Sequence, residues 1–131
     1  MGEKQNISRY CVYTLRDTVK LDEAYDKGGS GSFKENRKWV EGERLFIESQ
    51  RNKEQMPVLF AAAEKEGGLL YYAMLEAIEV GSDGSKAEYD FTGLTPFREE
   101  LPKSSLIKKS DNKPLSDNDI RPYRICLTPD L

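Results

Sequence analysis

Apolar and polar positions divide the chain into short segments of differing period. KAEYDFTGL, residues 86–94, sets Ala87, Tyr89 and Phe91 against Lys86, Glu88 and Asp90. That period of two predicts a half-buried strand. SRYCVYTL, residues 8–15, is dense in aromatic and β-branched residues and predicts a strand, as does YRICLTP at 123–129. RDTVKLDEAYDKGG, residues 16–29, has apolar positions at Val19, Leu21, Ala24 and Tyr25 and reads as a short helix ending at Gly28, or as a loop. A Gly/Ser stretch, GGSGSFKENRK, leads into WVEGERLFIES, where EGE reads as a turn before a strand over 44–48. The segment MPVLFAAAEKEGGLLYYAMLEAIEV contains good helix formers and a glycine stop. Yet its two apolar halves flank EKEGG as strands flank a hairpin loop, and two strands are the expectation. Residues 95–122 read as loop-rich, with short helices possible over 98–101 and after Ser116, where Asp119 completes a weak capping box.

Five to six strands and one to three short helices make an α+β domain, built around a small, mostly antiparallel β-barrel. Apolar first and last strands suggest a closed or nearly closed sheet with neighbouring termini. At 131 residues the chain fits one domain, 1–131, with an ordered barrel over about 8–129 and a flexible N-terminus over 1–7.

Charge and composition narrow the chemistry. The net charge of −3 gives no global attraction to a polyanion, so nucleic-acid binding would need a local basic patch or a shaped pocket. The chain has no histidine, which removes His-based triads and His-ligated metals. Many carboxylates are present, but no spacing singles out a catalytic pair, so a binding domain without cofactor or metal is favoured over an enzyme. Cys11 and Cys126 have no metal-ligand spacing and read as buried thiols, with a disulfide open to them if the termini run side by side. The polar start MGEKQNISRY has no hydrophobic run, so a cytoplasmic protein without membrane contact is expected.

The Gly/Ser stretch lacks the GK[ST] pair of a phosphate loop and the last glycine of a dinucleotide fingerprint. It reads as a loop, either a plain connection or a ligand rim. Lys34, Arg37 and Lys38 lie within five residues of Trp39, a phosphate-and-stacking corner, unless Trp39 belongs to the core. Tyr71 and Tyr72 would face opposite sides of a strand, one of them toward a pocket. Lys103, Lys108, Lys109 and Arg121 form a second basic group, with Ser104 and Ser105 as hydrogen-bond donors to phosphate or base.

The order of segments resembles the PUA-like superfamily, which includes the EVE and ASCH domains. KWVEGERLFIES resembles its W…xxGDxVxFY element, with Glu43 in place of the usual Asp. GLLYYAMLEAIEV resembles the following GxxxxAxVxxxxx strand, and YDFTGLTPF the next strand and its exit. The resemblance spans about 8–129 and implies a β-barrel with a cleft between sheet and helices that binds RNA, or a nucleobase, often modified and sometimes flipped from a duplex. It places Trp39 and the loop 30–38, including Ser32, at the cleft, with Tyr71 or Tyr72 on a wall. The expected function is nucleic-acid or modified-nucleobase binding through Ser32, Arg37, Lys38, Trp39, Tyr71, Tyr72, Ser104 and Arg121. The alternatives are a protein-interaction module, such as a phage or mobile-element factor, and a small histidine-free hydrolase of the ASCH kind.

Overall fold

The computed structural model describes residues 6–35, 39–62, 69–81, 86–115 and 123–129. The elements run β1 (Asn6–Ile7), β2 (Tyr10–Arg16), α1 (Thr18–Asp26), β3 (Gly31–Glu35), α2 (Val40–Arg51), β4 (Glu54–Gln55), β5 (Pro57–Ala62), β6 (Leu69–Val80), β7 (Ala87–Leu101), a 3₁₀ turn (Lys103–Ser105) and β8 (Tyr123–Leu127). Six strands form one sheet in the order β3-β7-β6-β5-β2-β8. Every pairing in it is antiparallel except β2 with β5. The fold is thus α+β with a mostly antiparallel sheet.

Local chemistry accounts for α1. The Asp17 carboxylate accepts from the Val19 N–H at 2.9 Å and caps the first turn. At the other end Gly29 N–H donates to the Ala24 carbonyl and Gly28 N–H to that of Tyr25. Together they make a Schellman stop, which needs the positive φ of 107° at Gly28. Leu21 is the side chain α1 buries.

The segment 44–48 is helical, where a strand was expected. Gly42, Leu45, Phe46 and Ser49 are the buried positions of α2, spaced three, four and seven apart, the stripe of a helix packed on a core. Glu41 and Glu43 in the first turn and Arg51 in the last complement its dipole. The expected loop 30–38 is also different. Residues Gly31–Glu35 pair along β7 as a strand, with Phe33 and Glu35 turned inward and Ser32 and Lys34 exposed. Residues 95–101, expected as loop or helix, continue β7. The two strands expected within 56–80 are present as β5 and β6. Asn6–Ile7, counted with the flexible N-terminus, pair in parallel with Glu54–Gln55. The helix considered after Ser116 lies outside the described residues.

The sheet is not closed into a barrel. Its outer strands are β3 and β8, and the outer edge of β8 is taken by a nearby segment. Leu127 N–H donates to the Ile107 carbonyl at 2.8 Å, and Lys109 N–H to the Ile125 carbonyl at 2.9 Å. The backbone groups that would join β8 to β3 are therefore spent on residues 107–109. The sheet curls nonetheless, helped by register shifts along β6–β7 that bend the long hairpin. The curl brings Phe33 of β3 within 6.0 Å of Phe60 of β5, ring to ring.

Pleating sorts the core into two layers. On the helix side Val12, Val58, Phe60, Tyr89 and Phe91 meet Leu21, Trp39, Leu45 and Phe46. On the other side Cys11, Tyr13, Leu59, Ala61 and Cys126 lie with Leu106 and Leu115. No helix among the described residues is long and apolar enough to cross a membrane.

Candidate functional site

Alternation along β2 puts Val12 and Arg16 on the helix-side face, so the strand ends by directing a guanidinium over the concave side of the sheet. The curl brings β3 to meet it. Arg16 donates to the Lys34 carbonyl at 2.9 Å, approaches the Glu35 carboxylate to 3.5 Å and lies 4.2 Å above the Phe33 ring. The Tyr89 hydroxyl, from β7, donates to the same Glu35 oxygen at 3.4 Å. Tyr89 in turn stacks on Trp39, centroids 4.4 Å apart and planes at 12°. The side chains of Arg16 and Glu35 are 22% and 10% exposed, so the ion pair sits at the border between core and solvent. Burial, and then the Glu35 charge, push the Tyr89 phenol well above its usual range, against a smaller opposing pull from Arg16. Tyr89 is therefore a fixed neutral donor at physiological pH.

Glu35 also lines a cleft of about 610 Å³ with Lys34, Glu43, Glu79, Lys86 and Glu88. The volume is within the range of small-molecule sites. The first turn of α2 forms one wall, tied to the end of β6 where Val80 N–H donates to the Glu43 carboxylate at 3.3 Å. Of the cluster, Glu35 is the member that lines this cleft, its carboxylate held from behind by Arg16 and Tyr89. The rim offers two ammonium groups among further carboxylates. Such a site suits a polar heterocycle with few phosphates better than a densely charged polyanion. Among the described residues no three Cys, Asp or Glu side chains gather to hold a metal ion.

The expected site residues are distributed as follows. Trp39 is fully buried and stacks on Tyr89 within the core. Ser32 is exposed on the outward side of β3, where its hydroxyl donates to Asp90. Tyr71 and Tyr72 do face opposite sides of β6, Tyr71 toward the helix-side core and Tyr72 against Phe97 in the other layer, 5.1 Å between ring centres. Ser104 is exposed in the 3₁₀ turn. Of the second basic group, Lys108 pairs with Asp111 at 3.3 Å and Lys109 with Glu41 at 3.8 Å. Arg37, Lys38 and Arg121 lie outside the described residues. The structure thus joins Trp39 to the cluster through Tyr89, and it adds Arg16, Glu35 and Tyr89 to the expected set. One signal for Arg16 was present: a cation in phase with Val12 at the end of an apolar strand. Another was the in–out alternation of GSFKE, which turns Glu35 inward.

Tyr71 carries a separate prediction. Its hydroxyl donates to Asp22 of α1 at 2.7 Å, beside the Tyr25 ring at 5.9 Å. Partial burial, then the hydrogen bond and charge of Asp22, push its phenol up to about 12. A raised folded-state value means that this support of the fold is complete below the unfolded value, about 10. It is then lost as pH rises through about 12. Tyr71→Phe is expected to cost about 0.5 kcal/mol in urea denaturation at pH 7. The gap to the parent protein should narrow at higher pH; a gap constant with pH would dissociate the phenol from α1.

A scan against protein-family models finds none that matches this chain, and a search of the curated proteins finds no similar sequence.

Proposed function

We propose that this chain is a cytoplasmic, non-enzymatic binding domain of the PUA-like kind, taking a nucleobase of RNA or DNA, natural or modified, in the cleft beside Glu35. The observation that carries this reading is the open cleft lined by Glu35, whose carboxylate is fixed in place by Arg16 and Tyr89. A base edge presents hydrogen-bond donors and acceptors next to one another, and the carboxylates and ammonium groups that line the cleft answer both. Lys34 and Lys86 on the rim would meet the flanking phosphates. Arg37 and Lys38 follow Glu35 within three positions of the sequence and would add to them. Glu43, Glu79 and Glu88 would hold the number of phosphates engaged to a few, so affinity should fall only gently with salt.

The test is a titration with labelled single-stranded RNA, single-stranded DNA and duplex DNA, with and without modified cytosine, at low and moderate salt. Binding to one class, weakened by salt and by Lys34→Glu, is expected. Absence of binding at low salt, where the rim cations are least screened, would overturn the reading. A nuclease-insensitive complex with another protein would then direct attention to α2, where Val40 and Ile47 are exposed at 55% and 43%.

A further inference from the structure

We propose that Cys11 and Cys126 form a cross-strand disulfide site that fastens the sheet's β2 to its last strand, β8. The antiparallel register of β2 and β8 sets the two residues directly opposite each other. Thr128 N–H donates to the Arg9 carbonyl at 2.8 Å in the same register. Two residues inward, Cys11 and Cys126 therefore occupy a pair of the same hydrogen-bonded type, whose Cα atoms lie about 5.5 Å apart. That spacing is within the range that a disulfide spans. Opposite residues of a pleated pair project to one side, and both thiols lie in the layer under Leu106 and Leu115, neither exposed to solvent. In the structure both are reduced, and the Cys11 thiol is 3.8 Å from the Leu127 carbonyl.

Burial, and then the neighbouring Cys126, push the Cys11 thiol up, so the closed sheet keeps it protonated and slow to react. Oxidation by a peroxide needs β8 or its cover to open. One sulfur then attacks the peroxide O–O bond, giving a sulfenic acid and water. The second sulfur displaces the sulfenic oxygen as a second water. Both thiol protons leave in water, and the S–S bond holds the two electrons' worth of oxidation. The bond closes a loop spanning nearly the whole chain, the case in which a crosslink restricts the unfolded state most.

The experiment treats the full chain with hydrogen peroxide in sub-denaturing urea and follows intact mass, a non-reducing peptide map and thermal unfolding. The expected product has lost two hydrogen atoms, carries Cys11 and Cys126 peptides linked within one chain, and melts roughly 10 °C higher. Reducing agent should restore the original melt, and Cys126→Ala should show neither change. Two alkylatable thiols remaining after treatment, crosslinks only between chains, or a lower melting temperature in the linked product would each overturn the proposal. None of these readouts depends on a nucleobase entering the cleft.

Discussion

Replacing Trp39 with alanine is expected to destabilise the fold by about 4 kcal/mol, the cost typical of emptying a large aromatic site in a core. Trp39 is wholly buried, stacks on Tyr89 and sits at the N-terminal end of α2. Its removal opens a void between the helix and β7 and leaves the Tyr89 ring without its stacking partner. Small domains hold roughly 5–15 kcal/mol in total, so much of the stability would go. The melting temperature should fall by on the order of 10 °C or more. Trp39→Phe keeps an aromatic face against Tyr89 and should lose roughly half as much. Urea and thermal unfolding followed by circular dichroism suit both variants, since Trp39 is the only tryptophan. A Trp39→Ala protein within about 1 kcal/mol of the parent would mean that the indole is not a core element. It would then be available to a ligand.

The second large effect is expected at Arg16. One guanidinium closes three features: the Lys34 carbonyl, the Glu35 carboxylate and the face of Phe33. Arg16→Ala removes all three and leaves a carboxylate at the core's edge without that counter-charge. For a partly exposed pair the expected loss is about 2–3 kcal/mol, below the range for a fully buried one. Glu35→Gln should cost less, about 1 kcal/mol, because the amide oxygen still accepts from Tyr89 and Arg16. Replacing both members, Arg16→Met with Glu35→Leu, should recover part of the Arg16→Ala loss, because no charge is then left to desolvate. A urea-denaturation cycle of Arg16→Met, Glu35→Leu and the double measures the coupling. Independent, additive losses would show that the pair is only a surface contact. In the binding titration Glu35→Gln should alter the preference among bases more than the salt dependence. The phosphate contacts are assigned to other residues.

Short-range patterns carried what could be read from the residues alone. The alternation of Ala87, Tyr89 and Phe91 gave away β7, and the apolar runs around Cys11 and Cys126 gave away two strands that prove to be neighbours. Gly28 marked the end of α1, since a positive φ at that stop is a local requirement. The helix α2 was not legible because WVEGERLFIES serves either period: Leu45 and Ile47 alternate, while Leu45, Phe46 and Ser49 make a helical stripe. Packing of Leu45 and Phe46 against Leu75 and Ile78 of β6 decided it.

The sequence by itself determined the class of the protein: an α+β domain, no histidine chemistry, no strong net charge, and strands near both ends. Its local periods suffice for that, because backbone sterics and burial act over a few residues. The tertiary structure decided the rest. β3, a Gly/Ser-rich edge strand of weak intrinsic propensity, exists through its ladder with β7. The barrel stays open because residues 107–109 take the hydrogen bonds along the edge of β8. Glu35 and Tyr89 meet through the pairing of β3 with β7, and Arg16 joins them only when the sheet curls β3 over the end of β2. Contacts of that kind depend on long-range strand pairing, which no local pattern of residues specifies.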